Sequence, residues 1–211
     1  MSDTFYRVVR AVGRPVFWST SKSLVLGAEH VPLAGPCLIA ATHQSPYDVP
    51  VLVLHTPRLL DFVSMEGLFR NTASAWLLGS MNAVRLDRSS PDLAAVRVIL
   101  SRLRASRGVA IFPEGGLRPG AASVVHTGKL KVGCGRLANF ASAPVVPCVM
   151  IGTEAYRTPL NWLPIGRARY GIIYGPPIDP GLEPPEIEAR LVRSMVLLHQ
   201  QLREAMNHHG R

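Results

Sequence analysis

The chain has 211 residues, enough for one ordinary α/β domain whose core needs neither disulfides nor metal. Cys37, Cys134 and Cys148 are odd in number and widely spaced, which excludes a disulfide framework, and no run approaches the roughly 18 apolar residues of a spanning helix. Hydrophobic residues make up 47% against 18% charged, and 23 Lys and Arg against 14 Asp and Glu leave a net charge of +9, a balance that favours anionic partners.

Between Phe5 and Phe17 apolar residues fall at Phe5, Val8, Val9, Val12 and Val16, at helical spacing, with Arg7, Arg10 and Arg14 on other faces. Residues 1–22 therefore read as a basic amphipathic helix and residues 23–211 as the main domain. The start lacks the apolar core and cleavage site of a signal peptide, so the expected location is the cytosol or the cytoplasmic face of a membrane.

Apolar strands are expected at Cys37–Ala41, Asp61–Met65, Ala83–Leu86, Val109–Phe112, Val145–Ile151 and Ala168–Tyr174. Between them the spacing predicts helices over Tyr47–His55, Glu66–Leu78, Pro91–Ala105 and Lys129–Ala141; in the third, Leu93, Val96, Ile99, Leu100 and Leu103 form an apolar stripe. A proline-rich crossing from Gly175 to Pro185 leads into a last helix marked by Ile187, Leu191, Met195, Leu198 and Leu202. This alternation implies a single α/β domain, a mostly parallel central sheet flanked by helices, with an N-terminal amphipathic helix.

His43 follows directly on the strand Cys37–Ala41, and in open parallel sheets the crevice beyond the strands' carboxyl ends is where ligands bind. Ser45 suits an N-cap, Pro46 the first helical position, and Asp48 stands three residues after the cap. With a turn between them, Asp48 can accept the imidazole N–H of His43 while the other ring nitrogen takes a proton from a substrate hydroxyl. The same Ser45-x-x-Asp48 spacing is also a capping-box-like helix start. A second polar turn follows the strand Val109–Phe112. Gly115 and Gly116 permit close approach of backbone to ligand, Glu114 can orient a hydroxyl or a cation, and Arg118 can hold phosphate oxygens bidentately. A solvated glycine turn fits that stretch as well. Arg88, after another strand, offers a further planar cation or an ion pair with Asp87 or Asp92.

Other chemistries find less support. A P-loop fails because Ser123 stands at the first glycine position before Gly128-Lys129, and there is no G-x-S-x-G elbow. His30, His55, His126 and His199 lack ligand-like spacing to any Cys or carboxylate cluster, so no metal is expected. His126, lying between two candidate segments, could approach a substrate. Nucleic acid is disfavoured because the basic residues are spread along the chain without a recognition motif. An anionic membrane surface is preferred as partner, with four basic residues against Asp3 in residues 1–22. Packing of that helix over the sheet is the alternative, and Trp18, Trp76 and Trp162 suit a lipid interface or a core.

Four segments in order, THQSPYD, MNAVRLDR, IFPEGGLR and PVVPCVMIG, resemble the blocks of the glycerolipid acyltransferase family that includes lysophosphatidic acid acyltransferases. The resemblance spans about residues 24–175. Thr42 stands where that family usually has Asn, Asn82 where it has Gly, and Arg118 one position later than the arginine of FPEGTRS.

The resemblance implies a glycerol-3-phosphate acyltransferase-like fold, His43 as general base and Asp48 as its orienting partner. Arg88, Glu114, Gly115 and Arg118 would bind the phosphate and glycerol of the acceptor. Ser45 and Gly116 are further candidate contacts, and Lys131 is a second anion-binding candidate. No cofactor is implied beyond the cosubstrate, acyl-CoA or acyl carrier protein, and the expected acceptor is a lysophospholipid, 1-acylglycerol-3-phosphate first. Another lyso-lipid (an amino-acid lipid or a glycolipid) or a non-catalytic lipid-binding protein are the alternatives. The expected location is peripheral, at the cytoplasmic membrane face.

Overall fold

The computed structural model describes residues 3–65, 79–86, 93–131, 133–164 and 168–208. Seven strands among them form one sheet in the order β1-β7-β6-β2-β5-β3-β4. They are β1 (Ser21–Leu26), β2 (Cys37–Ala41), β3 (Leu60–Met65), β4 (Ala83–Leu86), β5 (Gly108–Ile111), β6 (Val145–Ile151) and β7 (Ala168–Tyr174). Every pairing is parallel except β6 with β7. The three central strands β5, β2 and β6 therefore deliver their carboxyl ends to one side.

Strand β2 is buried along its whole length because both faces of the sheet are covered. Cys37, Ile39 and Ala41 point into a core shared with α1 (Asp3–Thr20) and α2 (Asp48–His55), through Tyr6, Phe17, Val51 and Leu52. Leu38 and Ala40 point the other way, against α3 (Leu93–Arg104), the short α4 (Val124–Thr127), α5 (Cys134–Ala141) and α6 (Pro184–His208). The expected stripe of α6 is buried at every position, Ile187, Leu191, Met195, Leu198 and Leu202.

Several boundaries differ from expectation. Strand β1 was not anticipated; SKSLVL is short, only partly buried, and pairs at the sheet edge with β7. Helix α2 begins at Asp48, so neither Ser45 as N-cap nor Pro46 as first helical residue holds. The Asp48 carboxylate and the Ser45 hydroxyl fold residues 44–47 into turns instead. Helix α5 starts at Cys134 rather than Lys129, because Lys131 N–H is taken by the Pro113 carbonyl and the backbone reaches a φ of 134° at Gly133. In α3 the buried positions are Ala95, Ile99 and Leu103, while Leu93 is exposed. The expected helix over 66–78, with Trp76, lies outside the described residues.

Helix α1 packs on the sheet with Tyr6, Phe17 and Thr20 buried, and two of its arginines reach across to α2. Arg10 Nη2 donates to the Thr56 carbonyl and Arg14 Nε to the Leu54 carbonyl at 3.3 Å, so two cations serve the last turn of α2, where carbonyls lack helical partners. At the other end Asp3 accepts from Arg107 and from Asn82 Nδ2, and Arg107 also grips buried Asp61 bidentately at 2.8 and 2.6 Å. Asn82 adopts a left-handed φ of 60°, the conformation that glycine takes most readily. Val8, Val12, Val16 and Trp18 are exposed on α1, as are Arg7 and Arg14. No helix among the described residues is long and apolar enough to cross a membrane.

Candidate active site

The site grows from the end of β2. Thr42 extends the pairing with β6 after the strand proper: its N–H donates to the Cys148 carbonyl and its hydroxyl accepts from Met150 N–H at 3.0 Å. His43 is the next residue, held beyond the carboxyl end of this central strand with 15% of its side chain exposed. Its Nδ1 lies 3.1 Å from Asp48 Oδ2. The same oxygen accepts the backbone N–H groups of Gln44 at 2.7 Å and Ser45 at 2.8 Å. The carboxylate thus does both things its spacing allows, reaching back to Ser45 in capping-box fashion and facing the imidazole. An ionised carboxylate only accepts, so Nδ1 carries the proton and Nε2 is left as the basic nitrogen. Ser45 is fully buried, and its hydroxyl accepts from Tyr47 N–H at 3.2 Å.

The second turn follows β5. The ring of Phe112 stacks on His43 at 4.0 Å between centroids and 19° between planes, which limits rotation of the imidazole. Glu114 is buried, and both its oxygens have protein donors: Oε2 accepts His43 N–H at 2.6 Å, and Oε1 accepts the Ser123 hydroxyl at 2.8 Å and Val124 N–H at 2.6 Å. Arg118 N–H donates to the His43 carbonyl at 2.7 Å while its side chain is exposed. The peptide groups on either side of His43 are thereby tied to the FPEG turn. Gly115 has φ +73°, and a Cβ there would lie 2.4 Å from Lys131 Cδ, so the Lys131 chain crosses directly over this glycine. Gly116 is partly buried beside it.

A third strand contributes a residue that sequence reasoning did not single out. After β6 the chain turns at Gly152, φ +83°, and Thr153 Oγ1 donates to Asp48 Oδ1 at 2.5 Å. Phe112 and Ser123 were also missed. Phe112 was visible only as the end of a strand and Ser123 only as a failed P-loop position.

The structure brings His43, Ser45, Asp48, Glu114, Gly115, Arg118 and Lys131 into one region through these bonds and contacts, with Gly116 in the same turn as Glu114 and Gly115. Arg88 lies outside the described residues. The N-terminus of α5, beyond Lys131, is occupied by Glu188 Oε1, which accepts Gly133 N–H at 2.8 Å. His126 sits instead against His199 of α6, ring centroids 5.3 Å apart. The three cysteines are free and buried. Burial raises Cys37 to about 11 and Cys134 to about 12, and burial with the nearby Asp48 charge pushes Cys148 well above its ordinary value, so none offers a thiolate. Among the described residues no group of three His, Cys, Asp or Glu could hold a metal.

The family model described as acyltransferase matches residues 22–151. A solved structure, the 1-acyl-sn-glycerophosphate (LPA) acyltransferase PlsC from Thermotoga maritima, is similar with a TM-score of 0.70 and 23% identity over 95% of this chain and 79% of that chain. No curated protein matches by sequence.

Proposed function

Because the chain belongs to the acyltransferase family, we propose that it moves a fatty acyl group from acyl-CoA or acyl carrier protein to the free hydroxyl of a lysophospholipid, 1-acylglycerol-3-phosphate giving phosphatidic acid. The observation that carries the reading is His43 Nδ1 at 3.1 Å from a buried Asp48 carboxylate at the carboxyl ends of the central strands. Nε2 of His43 takes the hydroxyl proton as the oxygen attacks the thioester carbonyl. The intermediate then collapses to ester and thiolate, and the thiolate takes the proton back from the imidazolium. An activated thioester needs no covalent enzyme intermediate, only a positioned base and oriented reactants. In this reading Arg88, Arg118 and Lys131 hold the acceptor phosphate, and Ser45 and the backbone at Gly115 and Gly116 shape its seat. Glu114 serves the acceptor indirectly, by fixing His43 and the segment at Ser123. The similar solved structure is that of an LPA acyltransferase, which supports the choice of acceptor.

The reading includes peripheral attachment at the cytoplasmic face of a membrane, where the acceptor resides. Its support is the outward stripe of Val8, Val12 and Val16 on α1, with exposed Leu160 and Leu163 nearby in the 158–163 segment and Arg7 and Arg14 at the helix flank. Each basic residue near an anionic leaflet adds about 1 kcal/mol.

The test is an acyl-transfer assay on purified protein with lysophosphatidic acid and a chain-length series of acyl-CoAs, read by lipid mass spectrometry. Phosphatidic acid is the expected product. Transfer only to a lyso-amino-acid lipid or a lyso-glycolipid in the same panel would overturn the acceptor assignment, and no transfer from acyl-CoA or acyl carrier protein to any of them would overturn the reading.

A further inference from the structure

Asp48 has two carboxylate oxygens, and the donors divide unevenly between them. Oδ2 receives the His43 ring and the Gln44 and Ser45 amides, all from its own loop. Oδ1 receives the hydroxyl of Thr153, 105 residues away, and both side chains are 1% exposed. The placement is built into the fold. Strand β6 lies beside β2 with Ala41 opposite Cys148, so the chain beyond β6 rises into the same crevice as His43. Gly152 then turns it, at a φ of +83° where a Cβ would lie 2.3 Å from the Arg169 carbonyl oxygen. Only a residue without a side chain fits that turn, and the turn aims Thr153 back at Asp48.

We infer that Thr153 is a positioning residue for the His43–Asp48 pair: its hydroxyl fixes the rotation of the Asp48 carboxylate so that Oδ2 faces His43 Nδ1. The inference rests on the acyltransferase reading only for its kinetic consequence. A buried carboxylate oxygen deprived of its donor seeks another, and rotation toward one takes Oδ2 out of line with the ring. The imidazole then loses the bond that keeps its proton on Nδ1, and Nε2 is no longer reliably free to act as base.

The experiment compares full-length wild type, Thr153→Val and Thr153→Ser, with Thr153→Ala in reserve should the valine variant not fold. Nitrogen NMR of ¹⁵N-histidine-labelled protein reads the His43 tautomer without any substrate, and steady-state kinetics read kcat and KM. Wild type is expected to hold the Nδ1–H form, and Thr153→Val to shift toward Nε2–H. The valine variant should also lose about tenfold in kcat with both KM values within about twofold, a part of what a positioned base contributes. Thr153→Ser should restore both readouts. An unchanged tautomer in Thr153→Val overturns the inference whatever the rate does, as does a serine variant no better than valine. A shifted tautomer in a protein that transfers no acyl group would retire the acyltransferase reading and leave the positioning role standing.

Discussion

Arg118 is joined to His43 through the backbone, its N–H donating to the His43 carbonyl at 2.7 Å. The FPEG turn and the HxxxxD loop are therefore one unit, and an arginine displaced by one position from the family pattern still starts from a Cα tied to the base. Its side chain is exposed and takes no part in that tie. Arg118→Ala should accordingly leave kcat near wild type and raise the acceptor KM. Loss of a hydrogen bond to a charged group, about 1.5–3 kcal/mol, corresponds to roughly ten- to a hundredfold. Initial rates over a range of acceptor concentrations decide it, and an unchanged KM removes Arg118 from the phosphate.

His43→Ala should lower turnover by about 10²- to 10⁴-fold, the usual contribution of a positioned base, with the circular dichroism spectrum unchanged. Asp48→Asn should lose activity too: its amide oxygen can still accept the three N–H groups that converge on Oδ2, but a neutral side chain no longer stabilises the imidazolium that forms on His43. Near-normal turnover in His43→Ala would exclude it as the base.

Glu114→Gln tests the brace. Both Glu114 oxygens accept, so the amide NH₂ of glutamine must confront a donor, either His43 N–H or the Ser123 and Val124 pair. A buried unsatisfied donor costs about 1–3 kcal/mol. A loss of 2 kcal/mol corresponds to roughly 4–8 °C in a domain of this size. The variant should therefore melt earlier and lose kcat with little change in KM; a wild-type melting curve would deny Glu114 its structural role.

The sheet was legible because its central strands are short apolar runs between turn residues, and β2, β6 and β7 begin and end where the pattern places them. β1 was not, since an edge strand of mixed polarity carries no period. The amphipathic reading of α1 found the helix and its valine stripe, which faces out, but not the side buried on the sheet, Tyr6, Phe17 and Thr20. At the site, the closeness of His43 and Asp48 could be reasoned from a turn five residues long. Thr153 could not, because its partner is 105 residues away and nothing local marks a threonine after Gly152 as different from any other turn. Glu114 was readable as a polar residue at a strand end, but which donors it meets is decided by tertiary packing.

His55 makes stability pH-dependent. Its Nε2 lies 2.7 Å from Tyr170 Oη, and burial first, then the charges of Arg14 and Arg10, lower its pKa from 6.5 to about 4. Between those values the unfolded chain binds the proton and the folded chain does not. Stability attributable to His55 is full above pH 6.5 and falls as pH drops toward 4, by up to about 1.4 kcal/mol per unit. His55→Gln, which can still reach Tyr170, should flatten that slope. Urea unfolding of both proteins at pH 7.5, 6 and 5 gives the difference, and parallel slopes would show that His55 is not the group responsible.

The outward face of α1 gives the last expectation. Val8, Val12 and Val16 recur every fourth residue on the side opposite Tyr6 and Phe17, with Trp18 83% exposed at the helix end. Water is a poor partner for such a stripe, and burying one valine is worth about 1.5–3 kcal/mol. Val8→Asp and Val12→Asp should each lower the fraction floating with vesicles containing anionic lipid by about tenfold, since lost burial and repulsion act together. Neither touches the face packed on α2, so the melting temperature should hold. Turnover on acceptor presented in vesicles should fall with binding, whereas turnover on acceptor dispersed in detergent should not. Equal flotation of wild type and variants would deny the stripe a membrane role, and a wild-type dimer on gel filtration that the aspartates dissolve would assign it to a second copy of the chain.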